Sequence, residues 1–213
     1  IVVSIQSSVV ATTNDKRRLR GEKSKQAIID SAIRCIATQG LRNATLDKVA
    51  QRARVSRALL VFHFKSKTGM LTAVLKHMHH VYVSGWALAR SEGESTADHL
   101  LALLEYDIRF ACEHSDLLAV WHAFWGEARG STLYREIGHP SDKGFEDELS
   151  RLLSQLADEG GYEDIDIAAT QTALWAMLFG LWRNTHLLHD DADYDTGMKA
   201  LRFFLSRVFP NHF

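Results

Sequence analysis

The chain has 213 residues, 46% of them hydrophobic, a formal net charge of −1 and two cysteines. That length can bury a sizeable core in one or two domains. Cys35 and Cys112, each in an apolar helical context, exclude a disulfide-built scaffold and read as buried thiols in a reducing cytosol. The small total charge conceals a division: residues 1–70 hold fourteen Lys and Arg against four Asp and Glu, a net of +10, and the remainder carries −11. A basic head on an acidic body suits a protein whose head meets nucleic acid.

Residues 1–21 read as a flexible arm ending in the basic run Lys16-Arg17-Arg18-Leu19-Arg20, of the kind that enters a minor groove or trails loosely along phosphate. The opening IVVSIQSSVVATTND has no basic residue before its apolar part and no A-x-A site, so it is a poor signal peptide. It also lacks an initiator Met, which leaves the natural start open. A first helix follows over 24–39, with Ala27, Ile28, Ala32, Cys35 and Ile36 as its buried stripe and Gly40 as its left-handed end.

The stretch TLDKVAQRARVSRALLVFHFKSK (45–67) reads as two short helices joined by a tight turn. Thr45 caps the first, which buries Leu46, Val49, Ala50 and Ala53. Arg54-Val55 makes the turn, and Ser56 caps the second, which carries Leu59, Leu60 and Phe64. Lys48, Arg52, Arg54, Arg57, Lys65 and Lys67 cover what the apolar face leaves, and no acidic residue follows Asp47 in this stretch. That is the pattern of a helix-turn-helix lying against phosphate.

Val55-Ser56, Leu60, His63-Phe64, Lys67 and Leu71, flanked by Gly40 and Thr45, resemble the TetR family of bacterial transcriptional regulators. Arg54, Ala58 and Val61 stand where that family usually carries Gly, Gly and Tyr. The resemblance implies a double-stranded DNA operator read by a homodimer. It places Thr45, Ser56 and Lys67 at phosphates and Arg57, Ala58, Phe62 and His63 at base edges, with Val61 and Lys65 on the same surface. Arg57 is the candidate for bidentate guanine readout.

Beyond the head, Ser66 can cap a long helix to about residue 90, and SEGEST (91–96) is a polar break. Helices are expected over 97–113, from Asp116 to Gly130, from Pro140 to Gly160-Gly161, over 164–188 and over 194–208. With only Pro140 and Pro210 as prolines and no alternating strand pattern, the fold class is all-α. About nine helices form an N-terminal helix-turn-helix three-helix head on a larger helical ligand-binding and dimerisation domain. The divisions fall at 1–21, 22–70 and 71–213. The longest apolar run, 173–182, is too short to span a bilayer, so no membrane partner is expected and the location is cytoplasmic.

The 164–188 helix is apolar on nearly every side and should be buried on nearly every side. One of its stripes, Ala169, Ala173, Ala176 and Gly180, is made of small residues that admit another helix closely. In TetR-like proteins the last two helices pair with their symmetry mates. AVWHAFWGEARGSTLYREI (119–137) and FGLWRNTHLL (179–188) also look like segments of the choline-responsive repressors of glycine-betaine synthesis. Trp121, Phe124 and Trp125 on one helix can face Trp175, Phe179 and Trp182 on another, enclosing a small-molecule effector site, or they are plain core. Aromatic faces attract a desolvated cation, with Glu105, Asp107 or Glu127 as counter-charges, so choline or another cation is the expected guest.

Eleven histidines invite a metal reading, with His77, His79 and His80 in one cluster and His186, His189, Asp190 and Asp191 in another. Neither cluster has a cysteine nearby, and both sit near helix ends where His is ordinary. No metal site is assigned. Without a G-x-S-x-G, a phosphate-binding Gly loop or a paired Cys motif, no catalytic residue and no cofactor is assigned either. The rival readings are a ligand-binding helical protein with a degenerate DNA head, and a regulator of an unrelated lipophilic ligand.

Overall fold

The computed structural model describes residues 13–89, 93–127, 132–188 and 194–213, and within them every regular element is a helix. In chain order these are α1 (Thr13–Asn43), α2 (Leu46–Ala53), α3 (Arg57–Phe64), α4 (Lys67–Ala89) and α5 (Thr96–Glu113). Then come α6 (Ser115–Glu127), α7 (Thr132–Ile137), α8 (His139–Gly160), α9 (Ile167–Leu188) and α10 (Tyr194–Val208). The fold is all-α, with one more helix than periodicity predicts. The extra one, α7, spans six residues, too few to show a repeat.

Short polar residues open α2, α3, α4, α5 and α9 by accepting the orphan amides of the first turn. Thr45 Oγ1 accepts the Lys48 N–H at 3.3 Å, Ser56 Oγ that of Leu59 at 3.1 Å, and Ser66 Oγ that of Gly69 at 3.1 Å. Ser95 and Asp98 form a reciprocal capping box at the start of α5. Asp166 caps α9 through the Ala169 amide at 2.9 Å, which starts that helix three residues later than 164.

The C-terminal ends need positive φ. Gly40 interrupts α1 at φ 77 and ψ 166, a backbone region accessible essentially to glycine alone, and not the left-handed helical one expected there. Arg54 closes α2 in the left-handed region (φ 56, ψ 39), and the Val55 amide reaches back to the Ala50 carbonyl at 3.0 Å. Lys65 closes α3 at φ 67, which nothing in the sequence signals.

Because α1 begins at Thr13, the run from Lys16 to Arg20 is helical. A further expectation fails in the body. Cys35 is buried but Cys112 is exposed, because α5 turns that position outward.

The head core joins Ile28, Ala32, Cys35 and Ile36 of α1 to Val49, Leu60 and Phe64, and continues through Met70, Val74 and Met78 of α4. In the body α5 is central, meeting α4, α6, α8, α9 and α10. Its close approach to α4 depends on Gly85, where a Cβ would overlap the Tyr106 side chain, whose hydroxyl donates to the Tyr82 carbonyl at 3.0 Å. That approach sets Asp107 of α5 against Tyr82 of α4. Along the other side of the molecule α6 packs on α1, so head and body share one core. The helix α9 buries Leu174, Leu178 and Trp182, but Ala169, Ala176 and Phe179 stay exposed in the single chain, against the expectation of burial on nearly every side.

A side chain in the left-handed region costs about 1 kcal/mol relative to glycine. Arg54→Gly therefore raises the melting temperature by about 2–4 °C. A fall in Tm on calorimetric scanning would contradict the strain assigned to this turn.

Candidate DNA interface and effector cavity

On the recognition helix α3, Leu60 and Phe64 point into the core, leaving Arg57, Ala58, Val61, Phe62 and Lys65 along the opposite side. Arg57, Ala58 and Lys65 are exposed, Val61 is half-buried, and Phe62 is 68% exposed, an apolar ring held in water at the outer edge of a basic helix. Lys65 places its ammonium 5.4 Å from the Phe62 ring and donates to the Phe62 carbonyl at 3.0 Å. Thr45 and Ser56 are exposed, and because each cap uses the oxygen as acceptor, each hydroxyl proton remains to be donated outward.

Two expected contact residues face elsewhere. Ser24 Oγ donates to the Gly21 carbonyl at 2.8 Å, so the 2.9 Å contact between His63 Nε2 and that hydroxyl requires the imidazole to donate. His63 is thus turned onto α1 and away from the outer face. Lys67 Nζ donates to the carbonyls of Leu41 at 2.6 Å and Arg42 at 2.9 Å, closing the last turn of α1. A lysine at the end of a helix whose carbonyls lack partners is drawn to them. Its role in this structure is to join α4 to α1.

In the body, a cavity of about 30 Å³ lies among α4, α5, α6, α8 and α9. Trp121 and Trp125 face Trp175, Phe179 and Trp182 across it, as expected from their spacing. Phe124 does not line it: α6 turns that ring into the core, where it is 2% exposed. Of the three candidate counter-charges only Asp107 reaches the cavity. Glu105 pairs with Arg109, and Glu127 lies 3.8 Å from Arg42 of α1 on the surface. Sequence reasoning missed Tyr82, Asp142 and Leu178 in the lining.

Asp107 is 3% exposed and pairs with no cationic side chain among the described residues. Tyr82 Oη donates to its Oδ1 at 2.6 Å and Trp182 Nε1 to its Oδ2 at 2.8 Å. Burial pushes this carboxyl up to about 6, and the two donors hold it back only in part. Burial and the neighbouring Asp107 charge likewise push the Tyr82 hydroxyl well up. At the mouth, Trp125 Nε1 donates to Tyr134 Oη, which donates to Asp142 Oδ2 at 2.6 Å; Trp125 also packs against Phe179 at 4.9 Å between ring centroids. A buried anion under aromatic faces attracts a cation and repels an anion.

The profile of the bacterial regulatory proteins of the tetR family matches residues 28–74, and that of the BetI-type transcriptional repressor C-terminal domain matches residues 83–210. The chain belongs to the BetI-type TetR regulators. The HTH-type transcriptional regulator BetI of Paraburkholderia phymatum is 26% identical to it over 187 residues, covering 86% of this chain and 92% of that protein. A transcriptional regulator from Pseudomonas aeruginosa PAO1 shares the fold with a TM-score of 0.80 at 24% identity, over 92% of this chain and 95% of that one. Another from Saccharomonospora viridis, solved in complex with choline, has a TM-score of 0.78 at 19% identity, over 87% and 96% of the two chains.

These relatives are transcriptional regulators and not enzymes. Among the described residues no group of three or more His, Cys, Asp and Glu is placed to hold a metal; His189, Asp190 and Asp191 lie outside them. Nor is any helix among the described residues long and apolar enough to cross a membrane.

For this TetR-type body, the raised Asp107 carboxyl has a definite sign. Its folded value of about 6 lies above the ordinary 3.8, so folding is favoured by the neutral form and loses stability as pH rises from about 4 to about 6. Asp107→Asn removes that loss. Its carbonyl can accept from Trp182 and its amide can donate to the Tyr82 oxygen. The variant gains up to about 3 kcal/mol in urea unfolding at pH 7.5 and nothing near pH 4. A variant that is less stable than wild type at both pH values would show that hydrogen-bond geometry, not the buried charge, governs the site.

Proposed function

We propose that this chain is a repressor that binds a palindromic operator as a homodimer in the cytoplasm and is released by a quaternary ammonium effector, of which choline is the first to test. The observation that carries the reading is the buried, cation-free carboxylate of Asp107 roofed by Trp121, Trp125, Trp175, Phe179 and Trp182. A permanent cation stripped of water gains about 2 kcal/mol or more from such rings and supplies the charge that Asp107 lacks. The complex of the Saccharomonospora viridis relative with choline supports the same class of guest.

Dimerisation is proposed through α9 and α10. Their outer faces carry Ala169 and Ala176, where a second helix can approach closely, beside Phe203, 62% exposed, and Leu187, 57% exposed. The same faces admit a four-helix contact between two copies through the bodies of residues 71–213, with both heads of residues 22–70 on one side of the pair, as two half-sites of one operator require. Operator contact is assigned to Thr45, Ser56, Arg57, Ala58, Val61, Phe62 and Lys65. Lys67 and His63 act from behind that surface by holding α1.

The test is titration calorimetry with choline, together with gel-shift on duplexes selected from a random pool. Choline binds at pH 7.5 and lowers operator affinity; Trp125→Ala weakens choline about thirtyfold, the loss of one desolvated cation–π contact. A quaternary amine has no proton to lose. Its affinity therefore falls as pH drops through about 6, where Asp107 protonates, and in Asp107→Asn this dependence disappears. No heat with choline on wild type removes the effector assignment, and no selected sequence removes the operator.

A further inference from the structure

Asp47 is the sole carboxylate between residues 31 and 91, and it stands on the side of the head that faces DNA in the reading above. A carboxylate there is repelled by phosphate, so its presence calls for a compensating role. In the structure both of its oxygens accept from one nitrogen of Arg57, Nη1, each at 2.8 Å. Both side chains stay exposed, at 62% and 64%, so the pair contributes little to the fold itself. Arg57 Nε and Nη2 have no hydrogen-bond partner among the described residues.

The asymmetry of this grip matters. Guanine is read by two parallel N–H donors on one edge of a guanidinium, aimed at O6 and N7. An aspartate that took the Nε/Nη2 edge would hide that fork. Held by Nη1 alone, the guanidinium keeps the Nε/Nη2 edge open, at the first position of α3, with its rotation already restricted. The rotamer freedom that a long side chain would lose on meeting a base is then lost in the unbound protein.

We propose that Asp47 is a positioning residue for base readout: it grips Arg57 through Nη1 and presents the Nε/Nη2 edge to a guanine in each half-site. This rests on the operator-binding reading and adds which residue fixes the register of Arg57.

The experiment uses the full chain. A random duplex pool is selected with wild type, and the position whose guanine preference vanishes in Arg57→Gln is taken as the Arg57 contact. Binding is then measured to duplexes carrying guanine or adenine there, for wild type, Asp47→Asn, Arg57→Gln and the double variant. Asp47→Asn lowers the guanine preference at that position roughly three- to fivefold, the scale of an exposed ion pair, leaves other positions unchanged, and has no effect in the Arg57→Gln background. Tighter binding of all duplexes by Asp47→Asn with the preference intact would mean that Asp47 masks Arg57, and overturns the proposal. So does an equal loss with and without Arg57, or an Arg57→Gln variant that keeps every preference. A wild type that selects no sequence is a separate outcome that removes the operator reading as well.

Discussion

A carboxylate withdrawn from water without a cation beside it is the constraint around which the body is built. Asp107 sits on α5, Tyr82 comes from α4 and Trp182 from α9, so the two hydrogen bonds to one side chain tie three helices together. Aromatic rings surround the Tyr82 donor in turn: Phe110 at 5.2 Å, Trp121 at 5.6 Å and Phe145 at 6.1 Å from its ring. A buried charge of this kind is costly, and an apolar residue of similar size would pack at least as well. The two donors leave its protonation well above the ordinary carboxyl range. In the proposed function a ligand's positive charge would recover there what folding gives up.

The head shows the same trade on a smaller scale. Both non-glycine residues with positive φ among the described residues, Arg54 and Lys65, flank α3, and both are basic and exposed. Glycine would relieve each turn but remove a positive charge from either end of the recognition helix. The caps are arranged alike. Thr45 and Ser56 satisfy the first turns of α2 and α3 with their oxygens, which leaves their hydroxyl protons uncommitted to the caps. Stability and the proposed DNA contact would thus draw on different atoms of the same side chains.

Much of this was legible in the sequence because it is local. Thr45, Ser56, Ser66 and Gly40 announce helix ends through chemistry that acts within four residues, and the stripe of Ile28, Ala32, Cys35 and Ile36 announces a buried face by spacing alone. Trp121, Trp125, Trp175, Phe179 and Trp182 were found together because helical periodicity puts each set on one side of its own helix. Phe124 differs from Trp125 by one step of 100° around α6, a distinction that spacing cannot make until the neighbouring helix is placed. Tyr82 and Asp142 were hidden because only the packing of α4 and α8 against α5 and α6 brings them in. The contacts of His63 and Lys67 were hidden for the same reason: their partners, Ser24 and the Leu41 and Arg42 carbonyls, lie 39, 26 and 25 residues away.

The proposed switch rests on the walls of the cavity. At about 30 Å³ it is small beside a trimethylammonium head, and the walls are unequal. Trp182 is fixed by Asp107 and Trp121 is buried, whereas Trp125 and Phe179 are partly exposed and lie against each other at the mouth. An outward movement of Trp125 would strain its hydrogen bond to Tyr134 and pull on α6. Because α6 packs along α1, and Arg42 of α1 lies 3.8 Å from Glu127 at the end of α6, the proposed displacement would pass to the helix on which α2 and α3 are seated. A ligand shifts an equilibrium only by its differential affinity for the two states. In the proposed switch that difference would lie between one arrangement of Trp125 and α6 that leaves Asp107 without a cation and another that admits a cation beside it.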